Sequence, residues 1–154
     1  MGFIADNQTS GSTEPWAVHG IFKTTAAVTK GYAVSIDTSG TIALAATATL
    51  HFVIGIAAES AAAGEDCRVL LMGYCDYAVT DEGVTAPVQD GTGDQVLQPV
   101  DGGVMEGQTG AEINANDTQL GGQIVGKNLA ADTGAVGICW VTAGAIGTYG
   151  GDNA

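Results

Sequence analysis

The sequence predicts a mainly β protein with little helix, built as a small β-barrel, β-sandwich or β-tulip-like domain. Val, Ile and Thr together account for 41 residues, whereas Leu and Met together account for 10, and β-branched side chains favour pleated surfaces over helices. In the segment 67–80, one set of alternate residues is apolar apart from a single Tyr hydroxyl, and the other set is mixed. This period of two is typical of a half-buried strand. Between candidate strands lie turn-forming residues such as Asp37-Thr-Ser-Gly40, in which Gly adopts a positive φ at little cost.

Taken in order along the chain, eight segments combine β-branched or aromatic residues with flanking turn residues. We predict strands at 16–22, 32–37, 41–45, 52–57, 67–80, 95–99, 123–127 and 136–142. Gly73, in the middle of the longest segment, indicates a bend or bulge. The stretch 84–110 is rich in Gly and Asp, so we expect a long surface excursion with room for one hairpin.

The chain divides into an arm and one domain. Residues 5–14 contain no large apolar side chain, so we expect 1–15 to form a flexible N-terminal arm that orders on a partner. Residues 16–154 then form a single β domain. Val53-Ile-Gly55 recurs as Ile124-Val-Gly126 at an offset of 71 residues, which suggests two pseudo-repeated β units at about 16–80 and 81–154.

Composition and charge exclude several functions. Four Lys and Arg stand against 17 Asp and Glu, for a net charge of −13, which is incompatible with nucleic-acid binding through phosphate contacts and unfavourable for binding an anionic membrane. No apolar run approaches the length of a membrane span or a signal sequence, so we expect a soluble, non-secreted protein. Leu, Ile, Val and Phe total only 34 of 154 residues, so we expect the core to be lean and completed between subunits.

The residues that carry chemistry favour no catalytic, cofactor or metal site. The three cysteines are an odd number, and neither they nor His19 and His51 have metal-ligand spacing. The acidic surroundings also disfavour a thiolate, so we interpret the cysteines as structural. In the Asp-rich loop 90–101, Asp90, Asp94 and Asp101 fit turns, and cation binding there stays open.

The two tryptophans have different predicted roles. Trp140 lies in a predicted strand and is expected in the core, whereas Trp16 lies where the polar arm meets the first strand. Trp16 therefore fits equally well as the start of the core or as a contact anchor on a neighbouring molecule, since buried aromatic residues dominate interface energetics.

Two stretches of the sequence resemble the capsid decoration (cement) proteins of tailed bacteriophages. They are KGYAVSIDTSGTI at 30–42 and VIGIAAESAAAGEDCRVLLMG at 53–73. The shared order is a Gly-led strand, a short turn, an Ala-rich link ending in Gly-Glu, and a strand ending in Gly. The resemblance covers 28–80 and, more weakly, the last 30 residues.

The resemblance implies a non-enzymatic protein of the virion, made in the host cytoplasm and located on the outer surface of the capsid. Its expected partners are the major capsid protein and two further copies of itself, in a homotrimer at three-fold and quasi-three-fold sites that stabilises the head against internal DNA pressure. Neither nucleic acid nor a membrane is an expected partner. From position and residue type, five residues are candidates for the capsid or subunit interface: Phe3, Ile4, Trp16, His19 and Phe22. The alternative is a surface- or carbohydrate-binding β module of a fibre or adhesion protein, although nine aromatic residues are few for that role.

Overall fold

A computed structural model of the chain describes residues 17–46, 49, 52–81, 83–115 and 125–142. The predicted arm 1–15 and Trp16 therefore lie outside the described residues. The nine strands are β1 (Ala17–Lys23), β2 (Ala33–Ile36), β3 (Ile42–Leu44), β4 (Val53–Ala57), β5 (Asp66–Val79), β6 (Asp94–Pro99), β7 (Met105–Thr109), β8 (Gly126–Asn128) and β9 (Val136–Val141). A 3-10 helix (Asp101–Gly103) lies between β6 and β7, and one short α-helix, α1 (Gly110–Ala115), follows β7.

All nine strands belong to one curled antiparallel sheet with the order β3-β2-β4-β5-β9-β8-β6-β7, and β1 pairs with β5. The mainly β prediction is therefore confirmed. β5 is long enough to pair with different strands along its first and last parts. Its first part pairs with β4 and with β1, and its last part pairs with β9. The pairing with β1 ends and the pairing with β9 begins at Gly73, which is in register with both Ala17 of β1 and Val141 of β9.

The first half of the molecule consists of β1 to β4 and the first part of β5. β2 pairs with β3 and β4, and β4 pairs with β5. An isolated parallel bridge from Thr24, just after β1, to Ile42 in β3 closes this half. The strands thus curl around a common interior in which the apolar faces of β2, β4 and β5 meet.

The second half consists of the last part of β5 and β6 to β9, and it has the same pairing pattern. β6 pairs with β7 and β8, and β8 pairs with β9. A parallel bridge from Thr80, just after β5, to Met105 in β7 closes it. β5 contributes to both halves, so no break in the sheet separates them among the described residues. The sequence-based division at about residue 80 stays a prediction.

Individual hydrogen bonds in the first half also have counterparts in the second half. The amide of Thr24 donates to the carbonyl of Glu65 at 2.9 Å, and the amide of Thr80 donates to the carbonyl of Ala135 at 2.9 Å. Gly55 in β4 and Gly126 in β8 also correspond, because a Cβ at either position would collide with a backbone carbonyl of the next strand, that of Leu70 or of Trp140. Both places therefore require glycine for close strand approach.

The core has two clusters. One lies within the first half and consists of Val28, Val34, Ile42, Ala57, Ala61, Cys67 and Val69. The other spans both halves and consists of Ala33, Ala45, Val53, Ile56, Leu70, Cys75, Ala78, Val84, Leu97, Met105, Val125, Cys139 and Val141. The second cluster fixes the two halves against each other by apolar burial.

Most predicted strands appear within a residue or two of their predicted ends, where the structure describes them.

The stretch 84–110 holds one hairpin, as the sequence allowed, formed by β6 and β7. The expectation of a long surface excursion is wrong, because Leu97 and Met105 are fully buried. The bounds of β7 and helix α1 were not predicted. Helix α1 begins with a capping box, in which Thr109 and Glu112 exchange hydrogen bonds. The Thr109 amide donates to Glu112 Oε2 at 2.8 Å, and the Glu112 amide donates to Thr109 Oγ1 at 3.3 Å.

Candidate interaction surface

Strand β1 presents the most exposed large apolar side chain among the described residues. Ile21 is 73% exposed, and Val18 on the same strand is 39% exposed. β1 pairs with β5 along one edge, and among the described strands no other lies along its opposite edge. An exposed strand with a free edge is a ready place for pairing with another chain.

Basic side chains flank Ile21. Its register partner on β5 is Arg68, whose exposed guanidinium has no ion pair or hydrogen bond within the described part of the chain. Lys23, two residues along β1, forms an exposed ion pair with Asp66 at 2.9 Å, which contributes little to stability at such a solvated site. We call Ile21, Lys23 and Arg68 the cationic face.

The five interface candidates from the sequence are distributed unevenly. Phe3, Ile4 and Trp16 lie outside the described residues. His19 is half-buried on β1, in register with Leu70. Phe22 is half-buried and packs against the first-half core cluster. Their part in an interface stays a prediction. Sequence reasoning missed Ile21 and Arg68, although Arg68 is one of the charged residues in the mixed set of alternate residues of 67–80 and could have been found there.

A groove lined by carboxylates lies in the second half. It encloses about 470 Å³, and its lining includes the exposed side chains of Asp81, Glu106 and Glu112 but no basic residue. Hydrogen bonds from the Thr109 amide and hydroxyl lower the pKa of Glu112 below its ordinary value, so this carboxylate is ionised at neutral pH. We call Asp81, Glu106 and Glu112 the acidic groove.

The corresponding place in the first half has a different character. A cavity of about 460 Å³ lies there, and its lining includes Thr25, Ala43 and Phe52 and one carboxylate, that of Asp37. Thr25 and Asp81 occupy equivalent positions, two residues after β1 and two residues after β5. The Thr25 amide donates to the carbonyl of Ile42 on β3, and the Asp81 amide donates to the carbonyl of Met105 on β7. The equivalent places in the two halves therefore differ in the number of carboxylates that line them.

The predicted Asp-rich loop 90–101 contains β6 (Asp94–Pro99), so it is not a loop throughout, and two of its aspartates accept hydrogen bonds from threonines. Asp90 Oδ1 accepts from the Thr92 hydroxyl at 2.7 Å and from its amide at 2.9 Å, and these bonds lower the pKa of Asp90. Asp94 Oδ2 accepts from the amide and the hydroxyl of Thr85. Within the described ranges no three His, Cys, Asp or Glu residues are grouped so as to hold a metal ion.

All three cysteines are buried and none forms a disulfide. Cys75 and Cys139 lie opposite each other on β5 and β9. A hydrogen bond with Cys75, together with burial, raises the pKa of Cys139 well above that of an ordinary thiol. Burial and the nearby Glu59 carboxylate raise the pKa of Cys67. A raised thiol pKa opposes formation of the nucleophilic thiolate, which fits structural cysteines.

The comparisons with known proteins agree with the sequence resemblance. Residues 1–73 match a family model described as phage cement protein, so the predicted resemblance is confirmed over that segment. The matched segment ends at Gly73, where β5 passes from the first half into the second. No curated protein matches the chain. In the part of the chain that the structure describes, every helix is too short or too polar to cross a membrane.

Proposed function

We propose that this chain, similar to phage cement proteins over residues 1–73, binds the outer surface of the major capsid protein lattice and stabilises the head against the pressure of packaged DNA. It acts without catalysis, as a homotrimer at three-fold and quasi-three-fold sites. The family match is the observation that carries the proposal. Three-fold symmetry of the protein suits three-fold sites of the lattice, because three linked weak contacts give avidity without a single strong one.

The surface chemistry supports this role. A net charge of −13 keeps the protein away from DNA before it reaches the capsid. Ile21 provides an exposed apolar contact for a partner, and no other described strand pairs with the edge of β1 opposite β5, which leaves room there for a partner strand. Among the described aromatic residues only Phe52 is exposed, which gives little support to the alternative of stacking on a carbohydrate.

The proposed contacts with the capsid or with neighbouring subunits include the arm 1–15 with Phe3 and Ile4, together with Trp16, His19 and Phe22. A polar arm that orders on binding can reach an adjacent capsomer while the domain remains at its own site.

Expanded heads that lack the protein provide the test. Purified full-length chain at micromolar concentration is expected to decorate them, to raise the temperature at which they release DNA, and to run as a trimer in native mass measurements. Removal of residues 1–15 should leave the oligomer folded but weaken head binding. Failure of the full-length chain to decorate such heads would contradict the proposal, and unchanged binding of the truncated chain would show that the arm is not the clamp.

A further inference from the structure

The distribution of charge between the two halves bears on how copies of the chain meet. Two molecules with a net charge of −13 repel each other, and that repulsion must be overcome locally wherever the copies come into contact. The chain has only four Lys and Arg residues. Arg68 is the register partner of exposed Ile21, and its amide donates to Glu59 Oε1 at 2.8 Å. Lys23, two residues along β1 from Ile21, is ion-paired with Asp66, so the guanidinium of Arg68 is the charge that this surface offers to a partner. Lys30 lies over the Tyr77 ring at 4.6 Å, and Lys127 lies in the second half.

Two of the three residues of the cationic face, Ile21 and Lys23, lie on β1, and the strand that corresponds to β1 in the second half is covered. The last part of β5 in the second half corresponds to β1 in the first half. Gly31 contacts the edge of β5 that faces away from β9, and its carbonyl accepts a hydrogen bond from the Val79 amide at 2.8 Å. The backbone of Tyr77 lies so close that no Cβ would fit at Gly31. β1 has no such cover among the described residues. The fold therefore leaves an exposed apolar and basic strand where the second half has a packed one.

The acidic groove complements this face in charge. It combines three exposed carboxylates, at Asp81, Glu106 and Glu112, with a lining that contains no basic residue. A groove of about 470 Å³ gives a long basic side chain access to these carboxylates. Partial desolvation there makes a guanidinium–carboxylate pair stronger than one on an open surface.

We infer that neighbouring copies associate head to tail, with the cationic face of one copy, Ile21, Lys23 and Arg68, seated on the acidic groove of the next. The inference rests on the proposed homotrimer and names its interface. One surface lies in the first half and its counterpart in the second, so each copy offers both, and the contact is heterologous rather than self-complementary. A heterologous contact that closes after three copies produces a ring.

A charge-exchange experiment on the full chain tests this interface by native mass spectrometry and by sedimentation at varied salt. Arg68→Glu alone and Glu106→Arg alone should each raise the trimer dissociation constant by on the order of tenfold or more. The double variant, Arg68→Glu with Glu106→Arg, should restore association in part, since residues 68 and 106 again carry opposite charges. Added salt should weaken the wild-type trimer. Ile21→Asp should dissociate it through loss of the apolar contact.

Matched controls separate the interface from general charge effects. Lys127→Glu changes the net charge as Arg68→Glu does, at an exposed site on β8, and Asp76→Arg matches Glu106→Arg. Both controls should remain trimeric, and circular dichroism should show all variants folded. A monomeric wild-type chain, or single variants as trimeric as their controls, would overturn the inference.

Decoration of heads by the same variants distinguishes this inference from the proposed function. If Arg68→Glu stays trimeric but no longer binds heads, the cationic face contacts the capsid, and the inference is wrong while the proposed function stands. If the wild-type chain forms the ring but never binds heads, the proposed function fails and the interface stands.

Discussion

The two halves of the molecule share a backbone pattern but differ in their interiors. In the first half the position after Ile56 on β4 is Ala57, buried in an apolar cluster. The equivalent position on β8 is Asn128, also fully buried, whose amide donates to the carbonyls of Thr85 and Asp94 at 2.8 and 2.9 Å. The two halves share their strand pairing and the glycines at close strand contacts, but they differ in whether an equivalent buried position is apolar or polar. Strand pairing and these glycines therefore define the fold.

The family match follows the same division. It covers residues 1–73, so it includes β1 to β4 and the part of β5 that pairs with β1 and β4. The second half repeats the pairing without belonging to the matched segment. Backbone hydrogen bonds carry the common pattern, and these depend only weakly on side-chain identity.

The largest expected effect comes from the two glycines that permit close strand approach. Gly55→Ala and Gly126→Ala should each destabilise the protein by about 3 kcal/mol, because the added Cβ would collide with a ladder carbonyl that cannot move freely. Urea denaturation followed by tryptophan fluorescence measures both.

The matched controls are Gly64→Ala and Gly134→Ala, at equivalent turns with φ of 81° and 60° and open space around a Cβ. They should cost about 1 kcal/mol each, from the positive φ alone. If only one of the two strand variants is destabilised, the close approach is not common to both halves.

A smaller effect should distinguish the interiors. Asn128→Ala should cost about 2–3 kcal/mol, because two buried carbonyls lose their donor. Ala57→Asn, the reverse change in the first half, should destabilise through an amide buried in an apolar cluster. Thermal unfolding measures both changes. A neutral Ala57→Asn would show that the first-half interior already holds polar partners for the amide.

The smallest effect concerns pH and one turn. Hydrogen bonds from the hydroxyl and amide of Thr41, and from the amide of Ser39, lower the pKa of Asp37 below its ordinary value of 3.8. A carboxyl whose pKa is lower in the folded than in the unfolded state stabilises the protein above its unfolded pKa, and this contribution is lost as pH falls through the folded value.

Asp37→Asn should therefore lower the midpoint of urea unfolding at pH 7, and the difference from wild type should shrink as the pH falls below about 4. Val100 occupies the equivalent position in the second half. The Val100 amide donates to the carbonyl of Val104, just as the Asp37 amide donates to the carbonyl of Thr41. Val100→Ala should show a pH-independent difference. A difference for Asp37→Asn that is equal at pH 7 and pH 3 would contradict the role of the charge.

The sequence allowed prediction of most strands because their side chains alternate or are β-branched. It did not reveal β7, since Met105–Thr109 includes a glycine and three polar residues and alternates only weakly. The capping residues of α1 were a usable local signal that was missed. The opposition of Cys75 and Cys139, and the exposure of Ile21, depend on which strands become neighbours, which no local pattern contains.

The unbroken course of β5 through both halves has a mechanical consequence. Fourteen residues of continuous strand replace the flexible linker that would join two separate domains. Tension applied between the halves is therefore carried by the backbone of β5 and by its ladders with β1, β4 and β9. This path runs through Gly73, whose φ is 126°, and through the register shift between Cys75 and Ala78.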